Sequence, residues 1–413
     1  MKLRIGYGEA EVGVIPEGWE VRPVGQMGEV VTGKALAANG HGAQRPYLRT
    51  KNVFDGRIAI DDVLTMPMTD EQFEQFRLRH GDVLLNEGQS LELVGRCAMY
   101  RNEYPDPCAI QNQLIRFRPH AGVSSTFATY LFRHCQQTGV FARIALQTTS
   151  IAHLGGSRFK RLRLVWPSNE DEQRAIAAAL SDADALIASL DALIGKKHDL
   201  KQAAMQQLLT GKTRLPGFTG EWAVKQLGEV AEMGSGGTPP SSVSAYYYGD
   251  IPWVSISDMT KGGKWITDTD RNLTRAGFAS SAAQIFPAGT VLYAMYASLG
   301  ECSIAGISLC SSQAILGIRP GTNLNNQFLY YYLISQKSTV KLLGQQGTQA
   351  NLNKRMIQEF SFILPPFVEQ TAIAAVLSDM DTELTAVRAK RDKARALKQG
   401  MMQELLTGKI RLI

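Results

Sequence analysis

The chain has 413 residues, of which 44% are hydrophobic and 20% charged, with no low-complexity tract; this is the composition of folded protein, long enough for two or three domains. No stretch approaches the roughly 20 apolar residues of a membrane span, and MKLRIGYGEAEVG lacks the apolar core of a signal peptide, so a soluble, cytoplasmic protein is expected. The net charge of +6 mildly favours an anionic partner, while five scattered cysteines without a CxxC spacing and six histidines without an HExxH pair argue for free thiols and against zinc.

In chain order, a tail over residues 1–14 precedes a first domain over 15–168, which opens on a strand around Trp19-Glu20-Val21-Arg22-Pro23. Residues 169–212 read as one long helix, with Ile176, Leu180, Ala183, Ile187, Leu190 and Ile194 alternating at spacings of four and three, the pattern of a coiled-coil seam. The stripe then moves to Leu200, Ala204 and Leu208, and Thr210-Gly211 stops the helix. A second domain over 213–365 opens on a similar strand at Trp222. A second long helix over 366–413 places Ile373, Leu377, Met380, Leu384, Val387, Arg391 and Ala394 in the same frame, moves to Leu397, Met401 and Leu405, and stops at Thr407-Gly408.

The two helices are copies. Gln173 to Leu215 and Gln370 to Leu412 align without a gap at a constant offset (370 − 173 = 197), with about half the positions identical. That period is far beyond the roughly 20 to 50 residues of a solenoid unit, so a whole domain plus a helix was duplicated. Between the helices only short echoes survive: Gly33 against Gly236, Tyr47-Leu48-Arg49 against Trp253-Val254-Ser255, Gly81-Asp82-Val83-Leu84 against Gly289-Thr290-Val291-Leu292, and Phe117-Arg118-Pro119 against Ile318-Arg319-Pro320. The expected fold is therefore α/β (α+β), two divergent domains with an internal pseudo-two-fold repeat. A helix of about 40 residues spans about 60 Å, too long to pack along one small domain, so an antiparallel pair of the two helices is expected.

Charge distribution and missing motifs bound the chemistry. Cys108–Asn169 and Cys302–Gln358 contain no Asp or Glu but carry Arg116, Arg118, Arg133, Arg143, Arg158, Lys160, Arg161 and Arg163, and Arg319, Lys337, Lys341, Lys354 and Arg355, as suits segments facing phosphates. Leu364-Pro365-Pro366-Phe367 lacks the Asn or Asp with which amino methyltransferases hold a base, and no glycine-rich cofactor loop follows a strand. LTGK at Leu209 and Leu406 lacks the upstream glycine of a phosphate loop. Asp199-Leu200-Lys201, the lone D-x-K, falls inside the first long helix, where a solvated face is expected.

The paired "EQ.AIA..LS..D" at Glu172–Asp184 and Glu369–Asp381, the paired "LK…M…LLTGK.RL" at Leu200–Leu215 and Leu397–Leu412, the openings at Trp19 and Trp222, and GGTPPSS with Tyr-Gly-Asp-Ile-Pro-Trp within Gly236–Trp253 resemble the DNA specificity (S) subunits of type I restriction–modification systems. The resemblance implies two target recognition domains, each reading one half of a bipartite, asymmetric site in double-stranded DNA. Two conserved helices would form an antiparallel coiled coil that sets the unread spacer and docks two modification (methyltransferase) subunits. It further implies a non-catalytic chain without a cofactor: S-adenosylmethionine belongs to the modification subunits, which methylate adenine, and ATP and Mg to restriction subunits where these join. Alternatives are the specificity subunit of a stand-alone adenine methyltransferase without restriction subunits, and an assembly scaffold.

Base reading needs Arg, Lys, Asn, Gln or hydroxyl side chains on elements that reach a groove. In the first domain these are Arg45, Arg49, Lys51 and Asn52, with Gln111, Asn112, Gln113 and Arg116. In the second they are Thr238, Ser241, Ser242, Tyr246, Tyr247, Ser257, Lys261 and Lys264, with Gln345, Gln346, Thr348 and Gln349. The first half has no counterpart of GGTPPSS, so contacts do not transfer between halves.

Overall fold

The computed structural model describes residues 7–10, 13–35, 40–147, 150–296, 298–340 and 351–412. The chain forms two compact units, residues 1–191 with 390–413, and residues 192–389. Each unit thus holds one domain, the beginning of one long helix and the end of the other. The long helices run Glu170–Leu208 and Phe367–Leu405.

In the first unit the hairpin Tyr7–Ala10 with Gly13–Pro16 leads into Trp19–Pro23, which pairs antiparallel with Arg163–Pro167 and so brings both ends of the domain together. A four-stranded antiparallel sheet runs in the order Gly28–Thr32, Leu114–Pro119, Val83–Asn86, Cys97–Met99. A three-stranded sheet, Ala109–Ile110, Ala43–Leu48, Leu64–Met68, lies beside it in sequence. The second unit repeats the plan: Ala223–Gln226 pairs with Ser361–Leu364, a five-stranded sheet contains Ala231–Ser235, Ile315–Pro320, Val291–Ala294 and Cys302–Ala305, and Tyr247–Val254 is flanked by Arg271–Leu273 and Cys310–Ser311.

The sequence echoes mark the points where both plans constrain the chain. A Cβ on Gly33 would stand 2.3 Å from the Gln111 carbonyl oxygen, and one on Gly236 would stand 2.2 Å from that of Ser311. Gly81 and Gly289 both adopt left-handed φ (+89° and +90°) ahead of a wholly buried strand, a conformation glycine takes without steric cost.

The duplicated helix motifs are joints, and each joint occurs twice. Glu172, 3% exposed, accepts from Trp19 Nε1 (3.2 Å) and from Arg411 Nε and Nη2 (2.9 and 2.8 Å). Glu369, fully buried, accepts from Trp222 Nε1 (3.0 Å) and from Arg214 Nε and Nη2 (2.9 and 2.6 Å). Gln173 accepts from the Ser124 N–H and donates to the Gly122 and Pro167 carbonyls; Gln370 accepts from the Asn325 N–H and donates to Asn323 and Pro365. Asp184 accepts from Tyr130 (2.8 Å) and Lys398 (2.6 Å), as Asp381 does from Tyr331 (2.7 Å) and Lys201.

These pairs set the helix direction. In the first unit Asp184 meets Lys398 and Asp191 meets Arg391, so one number rises by seven as the other falls by seven. In the second, Lys197 meets Glu383, Lys201 meets Asp381 and Arg214 meets Glu369, again antiparallel. Within the seam Ile176, Leu180, Leu190, Ile373, Leu377 and Leu384 are buried, and Ile187 and Val387 half-buried. The helix ends also enter the domain cores: Met402, Leu405 and Leu406 pack with Ile176 and Phe127, and Met205, Leu208 and Leu209 with Ile373 and Phe328. Leu200 and Leu397 depart from the expected stripe, at 53% and 64% exposed. The inward position is the next residue, Lys201 or Lys398, because a carboxylate waits there; Lys201 is consequently no solvated lysine.

Candidate nucleic-acid interface

In the first domain the strand Ala43–Leu48 carries Arg45 and the turn Thr50–Asn52 carries Lys51 and Asn52, with Arg49 between the two. Arg45 lies over the Phe73 ring (4.8 Å) and donates to Asp70 (2.8 Å). Arg49 and Lys51 share the Asp62 carboxylate, at 2.7 and 2.8 Å, and the Lys51 hydrogen bond holds that carboxyl below its ordinary range. Asn52 is 2% exposed and faces inward, accepting from the Arg49 N–H and donating to the Ala59 and Asp62 carbonyls. Gln111, Asn112 and Gln113 form a half-exposed turn before the central strand, where the Asn112 N–H holds the Lys34 carbonyl at 2.9 Å.

Arg116 is placed differently from a groove contact. It is 1% exposed in the middle of the central strand, donating to the Gln75 and Arg77 carbonyls (3.1 and 2.9 Å) and to Glu29 (2.8 Å), and burial pushes its guanidinium pKa down. Its neighbours correct the reading of the acid-free stretches, because carboxylates reach them from elsewhere in the chain. Arg118 pairs with Asp82 and Arg133 with Asp55, both at 2.7 Å; Lys337 pairs with Glu301 and Arg355 with Glu359. Lys160 and Arg161, on the helix Gly156–Arg161, are exposed.

In the second domain Thr238, Ser241, Ser242, Ser257 and Lys261 are exposed, Thr238 accepting from the Gln313 N–H (3.2 Å) and Lys261 donating to Asp270 (2.7 Å). Tyr246 is half-buried. Tyr247 is 9% exposed and its hydroxyl donates to the Pro239 carbonyl (2.8 Å), so it supports the loop from within. Lys264 also points inward, to Gln327 (2.8 Å), Tyr331 (3.0 Å) and Ser378 (3.2 Å), and burial lowers its pKa. Gln345, Gln346, Thr348 and Gln349 lie outside the described residues. Tyr248, absent from the expected set, is the tyrosine of this run that faces solvent, at 87% exposed. The glycine after a run of three tyrosines was the available signal, since it marks a bulge that breaks strand alternation.

Among the described residues no group of three or more His, Cys, Asp or Glu is placed to hold a metal, and no helix is long and apolar enough to cross a membrane.

Comparison with known proteins agrees with this architecture. The specificity subunit of the type I restriction enzyme MjaX of Methanocaldococcus jannaschii is 26% identical over 421 aligned residues, spanning 98% of this chain and 97% of that protein. The EcoR124I/EcoR124II specificity subunit of Escherichia coli is 23% identical over 54% of this chain and 56% of its own length. Among solved structures, a chain from a type I R-M system studied for complex assembly and conformational transition superposes with a TM-score of 0.63 at 19% identity, covering 96% of this chain and 99% of that one. The type I S subunit from M. genitalium gives 0.58 at 15%, with 98% of both chains covered. At such identities these two establish the fold alone. The type I restriction modification DNA specificity domain matches residues 16–196 and again 219–394, one copy in each half, and the chain therefore belongs to that family of specificity proteins.

Proposed function

We propose that the chain reads a bipartite, asymmetric DNA sequence, each domain one half-site, as the non-catalytic specificity subunit of a type I restriction–modification complex. One observation carries this reading: the Glu–Arg–Trp, Gln and Asp–Lys–Tyr joints are the same in both units, while the exposed polar loops of the two domains differ. A constant frame with different surfaces is what two unlike half-sites at one separation require. The residues offered to DNA are Arg45, Arg49, Lys51, Gln111, Asn112 and Gln113 in the first domain and Thr238, Ser241, Ser242, Ser257 and Lys261 in the second.

The long helices set the unread spacer and receive two modification subunits. Leu186 and Leu397 in the first unit, and Leu193 and Leu200 in the second, are exposed on those helices and supply apolar surface for subunit contact. S-adenosylmethionine is carried by the modification subunits, and ATP and Mg by restriction subunits where these join, all in the cytoplasm. Mapping methylated adenines in a genome that expresses this chain with its modification subunits tests the reading. A split motif with a fixed gap is expected; methylation without a split motif would sink it, and would favour a scaffold.

A further inference from the structure

The strand Tyr247–Val254 pairs antiparallel with Arg271–Leu273, but Tyr247 and Ile251 both register against Leu273, so Tyr248, Gly249 and Asp250 leave the ladder as a bulge. That bulge is clamped at its base. A Cβ on Gly249 would stand 2.3 Å from the Leu273 carbonyl oxygen and 2.5 Å from Thr274 Cα. The Thr274 N–H donates to the Tyr246 carbonyl and its hydroxyl to that of Ala245, each at 3.0 Å. Tyr247 and Trp253 tie the same segment to the Gly236–Ser244 loop through the Pro239 and Gly237 carbonyls (2.8 and 2.9 Å).

On this fixed base the Tyr248 side chain turns outward. It is 87% exposed and has a φ of +67°, the left-handed region that glycine enters freely and a bulky residue does not. Asn102 is the other non-glycine residue with positive φ among those described. The bonded base holds this backbone conformation, and no aromatic or cationic side chain among the described residues stacks on the Tyr248 ring. In the first unit the described strand Ala43–Leu48 pairs with Leu64–Met68 in an unbroken register.

We propose that Tyr248 is a base-stacking residue of the second domain, its ring lying against a nucleobase of bound duplex DNA at or beside the second half-site. The proposal rests on the DNA-reading function above. Exposed Thr238, Ser241 and Ser242 stand on the loop tied to this bulge, and Arg271 and Arg275 are exposed on the segment it pairs with, with no carboxylate pairing to either among the described residues. Asp250, exposed on the same bulge, is an acceptor suited to an exocyclic amine. A rigid ring with a bare face gains by stacking on any base, and apolar or aromatic side chains presented in this way enter base steps as wedges.

The test uses the complex of this chain with its modification subunits and a duplex carrying the motif found by methylation mapping, with 2-aminopurine placed in turn through the second half-site. Tyr248→Gly removes the ring and the backbone strain together, so its thermal midpoint should rise while its affinity for the duplex falls by roughly tenfold. Tyr248→Phe should keep affinity within about twofold. At the stacked position the change in 2-aminopurine fluorescence on binding should be lost in Tyr248→Gly and kept in Tyr248→Phe. Wild-type affinity in Tyr248→Gly overturns the proposal. So does loss of the modification subunits from that variant in gel filtration without DNA, which would make the ring a protein contact. Failure of the wild-type complex to bind its mapped duplex would overturn the DNA-reading function as well.

Discussion

The two glutamines that follow Glu172 and Glu369 allow a test of the duplicated frame. Gln173 is 1% exposed and Gln370 fully buried. Each side chain makes three hydrogen bonds to backbone: Gln173 at 2.9, 3.3 and 2.9 Å, Gln370 at 2.8, 2.9 and 2.8 Å. Replacement by Met keeps the length and strands one backbone N–H and two carbonyls. At roughly 1–3 kcal/mol for each group left fully unsatisfied, with part of the set reached by water, Gln173→Met and Gln370→Met should each cost about 2–4 kcal/mol. The costs should add in the double variant, because the sites share no partner and lie in different units. Gln173→Glu distinguishes hydrogen-bond loss from packing loss. A carboxylate there faces two carbonyl oxygens, so its folded pKa is raised above the ordinary value of about 4.3. The destabilisation is then full at pH 7 and relieved as pH falls through the raised value, and this variant should be more stable relative to wild type at pH 5 than at pH 7. Urea unfolding followed by circular dichroism at both pH values measures this. Losses below about 1 kcal/mol, or the same Gln173→Glu deficit at both pH values, would refute the reasoning.

Three further outcomes are expected. All five cysteines are buried, and burial raises their thiol pKa values, to about 11 for Cys108 and about 12 for Cys135 and Cys310; iodoacetamide at pH 8 should label none of them in native protein and all five in urea, as counted by mass spectrometry. Asp258 is pushed up by burial but held below its ordinary 3.8 by Ser255 and the Asp270 N–H, so its contribution is full above that value and lost as pH falls through the lower folded one; acid unfolding below pH 3.8 should lose a component in Asp258→Asn, read as a shallower pH dependence of the urea midpoint. Seven residues of helical seam inserted after Asp191 together with seven after Ala389 add about 10 Å to each long helix, and the mapped motif should gain about three base pairs of unread gap with both half-sites unchanged, whereas an unmoved gap would exclude the helices as the ruler.

The duplicated frame was legible because a joint needs the same residues at the same spacing wherever it recurs. What each motif residue does was not legible, because its partners lie far away in sequence: Glu172 meets Trp19 and Arg411, and Asp184 meets Lys398. The same remoteness misled the charge reading, since Asp82 and Asp55 neutralise arginines inside a stretch that has no acid of its own. Periodicity placed the seam from Ile176 to Leu190 but put Leu200 and Leu397 inside, where a lysine with a waiting carboxylate takes the inward position. In the run Tyr246–Tyr248 three identical side chains have three different fates, and only the bulge register separates the outward one from the two that support it.

The composition of the units has a consequence for synthesis. The second unit is one continuous segment, residues 192–389, and its core can close as soon as that segment has emerged. The first unit, made earlier, needs residues 390–413, and its core includes Met402, Leu405 and Leu406 against Ile176 and Leu180. Between residue 191 and residue 390 lie 199 steps of elongation (390 − 191 = 199), roughly 10–40 s at about 5–20 residues per second. Throughout that interval Ile176 and Leu180 lack Met402, Leu405 and Leu406 as partners, so the unit whose translation starts earlier is completed later.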